Sequence, residues 1–274
     1  MERPAWAPQG IDITVPSVSR IYDYYLGGSH NFEVDREAAR KAMEFMPGLP
    51  RIMQANRAFM RRAVRYAADQ GVDQFLDIGS GIPTFGSVHE VAQRARPGSR
   101  VVYVDHDPVA IAHSRAVLEG NPDTAVVAAD LRGPREILHS AEVGELLNLQ
   151  RPVALLLVAV LHFIEDADDP YGAVAELSEA LAPGSMLIVT HASWEGVQLA
   201  TEQADGAVDV YRNDVRNPLI MRSREEIARF FKGYEVVEPG IVPMPVWRPE
   251  NAAQDVEDAD PYTFAGYVGV GRKA

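Results

Sequence analysis

The 274-residue chain contains no cysteine. That excludes disulfides, thiolate nucleophiles and cysteine-ligated zinc or iron–sulfur centres, and it fits a reducing compartment. Basic residues are also scarce, with 26 lysines and arginines against 39 aspartates and glutamates, a formal charge of −13. Nucleic-acid affinity depends on clustered positive charge, so no nucleic-acid partner is expected. The one basic stretch, Arg51, Arg57, Arg61, Arg62 and Arg65, is interleaved with Met53, Phe59, Met60 and Val64 and reads as an amphipathic helix with a solvated face. Long apolar runs are missing too. The longest, Val153 to Leu161, is too short to cross a bilayer, and Met1 to Trp6 carries no apolar export core, so a cytoplasmic protein without a membrane partner is expected. There is no Gly-Lys-Ser/Thr phosphate loop. Glu165, Asp166, Asp168 and Asp169 form the densest acidic group but lack metal-ligand alternation, and no metal is assigned.

What is present is a long alternation of strand-like and helix-like segments: 74–79, 86–95, 100–105, 108–118, 124–129, 134–147, 152–160, 170–181 and 185–191. This rhythm predicts a parallel sheet with right-handed crossovers, and 47% hydrophobic content is enough to bury a full α/β core. Asp107 before Pro108 reads as an N-cap and first helical turn. Beyond residue 192 the rhythm stops. A polar segment runs to about Asn217, a helix-like stretch covers Ser223 to Phe231, and two closing strands, Tyr234 to Val237 and Thr263 to Val270, suggest an antiparallel pair at one sheet edge. They are separated by prolines and by the acidic stretch Asp255 to Asp260. Before residue 74 the helical segments Val18 to Leu26, Glu33 to Phe45 and Ile52 to Ala68 predict a helical cap or lid over residues 1–70, with the sheet domain over 71–274.

Three strands end in an acid. Gln74 to Ile78 carries Asp77 and breaks into Gly79-Ser80-Gly81, Val101 to Val104 ends at Asp105 with His106 beside it, and Ala125 to Ala129 ends at Asp130-Leu131. Glycines let backbone approach a ligand, and a carboxylate about 20 residues beyond such a turn is where Rossmann folds bind a ribose. A dinucleotide fingerprint would place glycine or alanine at position 84, which is Thr84. Asp77 would also repel a diphosphate. S-adenosylmethionine has an ammonium, a sulfonium and no phosphate, so the acid-rich strand ends favour it over NAD, ATP or GTP. The roles expected are ammonium contact near Asp77, ribose hydrogen bonds to Asp105, and adenine contact by Asp130 and Leu131.

The chain resembles the class I S-adenosylmethionine-dependent methyltransferases, and more closely an actinomycete family long catalogued as a domain of unknown function. The resemblance is carried by Pro16 to Val18, Arg20 to Gly28, His30 to Phe32, Ala55 to Phe59, Gln74 to Thr84, Val101 to Pro108, Ala129 to Leu131, Leu155 to Phe163 and Leu181 to Ser185. It implies a Rossmann-like, doubly wound, seven-stranded, mostly parallel sheet with its last strand antiparallel. The segment ending Ala159-Val160-Leu161-His162 is similar to the one that lines the methionine moiety in many small-molecule methyltransferases. Ala159 and His162 then face the pocket, and His162 is either a proton acceptor or a residue that shapes the pocket. His191 carries the same two readings. Tyr22, Tyr25, His30 and Asn31 are read as a lid over the cofactor, with ordinary helix packing as the alternative for the two tyrosines, and Asn56 and Arg57 as contacts to the methionine carboxylate, with a surface salt bridge as the alternative for Arg57. The expected activity is methyl transfer to a small-molecule acceptor by in-line displacement, with a non-catalytic S-adenosylmethionine sensor or partner protein as the alternative.

Overall fold

Apolar residues fill both faces of the central strands, as a sheet covered by helices on each side requires. In the computed structural model, which describes residue 7 and residues 11–83, 86–197, 201–215, 217–250 and 265–274, these strands are buried along their length. Thr84, Asp255 to Asp260 and the start of the last strand-like run, at Thr263, lie outside the described residues.

The strands are β1 (Gln74–Ile78), β2 (Arg100–Asp105), β3 (Thr124–Ala128), β4 (Ala154–Val158), β5 (Met186–Ala192), β6 (Tyr234–Val236), β7 (Val242–Pro243) and β8 (Gly266–Lys273). Their order is β3-β2-β1-β4-β5-β8-β6, with β7 paired to β8 off this path. β1 to β5 run parallel, and β8 enters antiparallel between β5 and β6. The fold is therefore Rossmann-like and mostly parallel, with an antiparallel last strand. The short β7 adds an eighth strand to the seven expected.

The helices are α1 (Val18–Tyr25), α2 (Glu33–Phe45), α3 (Leu49–Asp69), α4 (Val88–Ala95), α5 (Pro108–Val117), α6 (Pro134–Leu138), α7 (Ala141–Leu146), α8 (Pro170–Glu179), α9 (Thr201–Asn213) and α10 (Arg224–Ala228). Because side chains alternate across a strand, Phe75 joins a core with Phe59, Val64 and Trp247 on one face, while Leu76 joins Leu155, Val174 and Phe230 on the other. The long helix α3 thus lies on the sheet, whereas α1 packs on α2, α3 and α5, and α2 on α1 and α9. Among the described residues no helix is long and apolar enough to cross a membrane.

A buried polar knot ties α1 to α2. Asp35, fully buried, accepts from the Ser17 N–H at 2.9 Å, the Phe32 N–H at 2.8 Å and the Arg20 guanidinium at 3.1 Å. Burial raises the Asp35 pKa, with Arg20 opposing the rise. Asp23 accepts from the His30 N–H at 2.9 Å and from Asn31 Nδ2 at 2.8 Å. A side chain at Gly28 would run into the Asp23 carboxylate, so the turn needs glycine there.

Candidate cofactor and acceptor site

Strand order reverses at β1, between β2 and β4, and the carboxyl ends of the strands open there into a crevice. The cap closes it into a cavity of about 490 Å³. Tyr22, Tyr25, Asn56, Arg57, Asp77, Gly79, Ser80, Gly81, Asp105, His106, Asp130, Leu131, Ala159 and His162 all line it. His30 and Asn31 do not. The His30 ring packs on His113, with centroids 3.8 Å apart, and Asn31 is consumed by Asp23, Gly28 and Arg36, so these two hold the α1–α2 turn and are not part of a lid over the pocket.

The glycine turn is held by backbone. The N–H groups of Gly79 and Ser80 both donate to the Val104 carbonyl, at 2.8 and 3.1 Å. Gly79 and Gly81 adopt φ +73° and +66°. A Cβ on Gly79 would come within 2.5 Å of Val160, whereas one on Gly81 would meet nothing within 4 Å. The second glycine therefore presents bare backbone to open space. Asp105, almost fully buried, accepts from the Gly81 N–H at 2.7 Å and the Asp107 N–H at 2.8 Å, which fixes its carboxylate on the cavity wall. Burial raises its pKa against the pull of those two bonds. Asp107 caps α5 through the Val109 and Ala110 N–H groups and also accepts from the Ser17 hydroxyl, which latches the cap to the end of β2.

The three strand-end acids differ in charge state. Burial pushes Asp77 up to about 7, with Arg57 opposing and Asp105 adding to the rise. Asp130 is half-buried and lies below the ordinary carboxylate range because the Arg132 guanidinium grips it in a fork, at 2.6 and 3.0 Å.

On the β4 side Ala159 takes φ +57°, a conformation that disfavours a side chain. Its N–H donates to Thr190 Oγ1 at 2.8 Å, which holds it there. His162 receives the Ala192 N–H on Nδ1 at 3.3 Å, so its own proton is assigned to Nε2. Burial first, then His191 and Arg222, hold it well below the usual histidine range, and it is neutral. His191 is lowered to about 4, chiefly by burial. Its Nδ1 faces the Ala192 carbonyl at 2.8 Å and its Nε2 faces the Arg222 guanidinium at 2.8 Å. That arginine, 3% exposed, also donates to the carbonyls of Leu161 and Ile164 and to Asp166. Arg222, Thr190 and Ser17 escaped the sequence reading, as did the apolar wall built by Trp194, Tyr211, Leu219 and Met221.

A family profile described as S-adenosyl methyltransferase matches residues 4–274. The chain belongs to this family. The methyltransferase is 40% identical to a DUF574 family protein of Streptomyces avermitilis MA-4680 whose crystal structure superposes with a TM-score of 0.90, covering 96% of this chain and 100% of that one. It is 39% identical, again with a TM-score of 0.90, to a provisionally assigned methyltransferase of Thermobifida fusca YX, over 98% of this chain and 99% of that one. A search of curated proteins found no match.

The cofactor of the methyltransferase is S-adenosylmethionine, and the cavity fits it. Asn56 Nδ2 donates to the Tyr22 hydroxyl at 2.8 Å, which leaves Asn56 Oδ1 buried with no hydrogen-bond partner. Buried polar atoms are nearly always paired, and an unpaired acceptor on a residue that lines the same cavity as Asp77 suits a cationic amino group rather than the methionine carboxylate expected of Asn56 from the sequence.

Proposed function

We propose that the methyltransferase acts on a small-molecule acceptor by in-line displacement and relies on positioning rather than on a fixed general base. The observation that carries this reading is the continuity of one partly enclosed cavity from the acidic strand ends to an apolar roof of cap and α9 residues. Such a space orients two ligands end to end and excludes water, and orientation alone supplies much of the barrier reduction in a two-reactant step.

When bound, S-adenosylmethionine supplies a methyl group already activated by a sulfonium. Asp105 is pre-set to accept from ribose hydroxyls, Asp130 and Leu131 to flank the adenine, Asp77 and Asn56 Oδ1 to meet the ammonium, and Arg57 to pair with the carboxylate. Ala159 and Val160 would border the reacting end. His162 has its Nδ1 lone pair engaged and its charge suppressed by burial, which supports a pocket-shaping role. The net charge of −13 supports a small molecule over a nucleic acid as acceptor, and the lack of cysteine supports a cytoplasmic setting.

Calorimetric titration with S-adenosylmethionine and S-adenosylhomocysteine, with NAD as control, tests the reading. Saturable binding of the first two alone is expected, and Asp105→Ala should weaken it by about 1–3 kcal/mol through lost charge-assisted hydrogen bonds. Binding of NAD alone would refute the assignment. Tight binding with no methylated product across a broad acceptor set would favour the sensor alternative.

A further inference from the structure

We infer that the acceptor is an uncharged, apolar molecule of one or two rings that offers a nitrogen lone pair to the methyl group; this rests on the methyltransferase reading above.

The wall is the first argument. Five of the chain's eight methionines, Met46, Met53, Met60, Met221 and Met244, line the cavity. Unbranched thioethers conform to irregular apolar shapes, so this concentration suits a hydrophobic guest. The cavity's 490 Å³ has to take both ligands, which limits the acceptor to a few rings.

Charge is the second. Among the described residues the lining carboxylates are Asp77, Asp105, Asp107 and Asp130, all at the ends of β1, β2 and β3, and the lining guanidiniums are Arg57 and Arg132. Among the described residues no lysine lines the cavity, and those of the apolar roof carry neither sign of charge. An anionic acceptor would lose its hydration there with no partner in return.

The third is proton traffic. A phenol or alcohol acceptor must shed a proton as it is methylated. His162 Nδ1 is engaged by the Ala192 N–H and His191 is bonded at both ring nitrogens. Tyr22, Tyr25 and Tyr211 hold their own protons, since burial raises all three. A ring or tertiary nitrogen avoids the difficulty. Its lone pair forms the N–CH₃ bond as the S–CH₃ bond breaks, the bonding pair stays on sulfur, and the positive charge passes from sulfur to nitrogen with no proton moved. The roof is suited to that charge: Phe163 and Tyr211 stand 5.9 Å apart on the cavity wall with Trp194, and aromatic faces attract cations.

The test uses the full chain saturated with S-adenosylhomocysteine, titrated calorimetrically with four probes of matched size: quinoline, N-methylquinolinium, 1-naphthol and 1-naphthoate. Quinoline and N-methylquinolinium should bind at least about tenfold more tightly than naphthoate. Trp194→Leu, with Phe163→Leu as a second variant, should weaken N-methylquinolinium several-fold more than quinoline. With S-adenosylmethionine, mass spectrometry should detect N-methylquinolinium and no methyl ether of naphthol. Naphthoate binding as tightly as quinoline, naphthol methylated in preference, quinoline bound but not methylated, or no probe bound while S-adenosylhomocysteine binds would each overturn the inference. If S-adenosylhomocysteine itself fails to bind, the cofactor reading fails first and this inference falls with it.

Discussion

Asp77→Asn should stabilise the unliganded protein at alkaline pH and cripple cofactor binding. Asp77 lies in the middle of the sheet, paired in register with Tyr103 and Leu156, and burial raises its pKa from 3.8 to about 7. An acid raised on folding binds more protons in the native state than in the unfolded chain, so its ionisation opposes folding as pH climbs from the unfolded value through the folded one. The cost is under about 1 kcal/mol at pH 4 and reaches about 4 kcal/mol at pH 8, since each pKa unit is worth about 1.4 kcal/mol. Asparagine keeps the shape and removes the charge. Thermal melts of the two proteins should therefore nearly coincide at pH 4, separate by a few degrees at pH 5, where the cost is about 1.7 kcal/mol, and differ by about 8–16 °C at pH 8, at about 2–4 °C per kcal/mol for a chain of this size. The same linkage makes binding pH-dependent. If the ionised carboxylate receives the amino group, the wild-type affinity for S-adenosylhomocysteine should rise roughly tenfold from pH 6 to pH 8. The variant should bind weakly with a flat profile. A melting difference that is the same at pH 5 and pH 8, or a variant that retains the wild-type pH slope of binding, would refute the placement of this charge.

Arg20→Met should cost about 3–5 kcal/mol in urea unfolding, because it leaves the Asp35 carboxylate buried without its counter-charge; a loss below about 1 kcal/mol would mean that the α1–α2 knot contributes little. Gly79→Ala should lower cofactor affinity at least tenfold, since its Cβ would meet Val160 and φ is +73°, and wild-type binding would contradict the fit of the turn. His162→Gln should leave the pH profile of kcat unchanged once an acceptor is in hand, and the disappearance of a titration step from that profile would make it a base.

The strand-end acids and the glycine turn were legible because both signals are local: a β-strand terminates, the chain reverses, and the residue at that joint faces the crevice. An antiparallel pair at one sheet edge was legible from the loss of the strand–helix rhythm, whereas the antiparallel last strand of the sheet came from the family resemblance. Helix α9 was not, although Ala207, Val210 and Tyr211 are buried at helical spacing. Its other residues are polar enough to mask three apolar ones, and the surface that makes it a helix is supplied by α2, where the Phe45 ring closes against Gly206. His30 and Asn31 were read as lid residues for their chemistry alone. Their partner Asp23 lies seven and eight residues back in sequence, and nothing in the spacing shows that the polar groups turn towards each other rather than outward. Arg222 is the hardest case, since a lone arginine in a polar stretch is ordinarily solvated, and only the fold brings the carbonyls of Leu161 and Ile164 around it.

The hydroxyl groups of Tyr25 and Tyr211 meet across the cavity roof at 3.3 Å, although 186 positions separate them in sequence. A ribosome that has delivered the chain through Ala192 has released every strand-end aspartate and the whole parallel half of the sheet, yet only half of the ceiling. Translation runs from the amino end, so the strand-end acids are synthesised before the α9 residues that close the cavity opposite them.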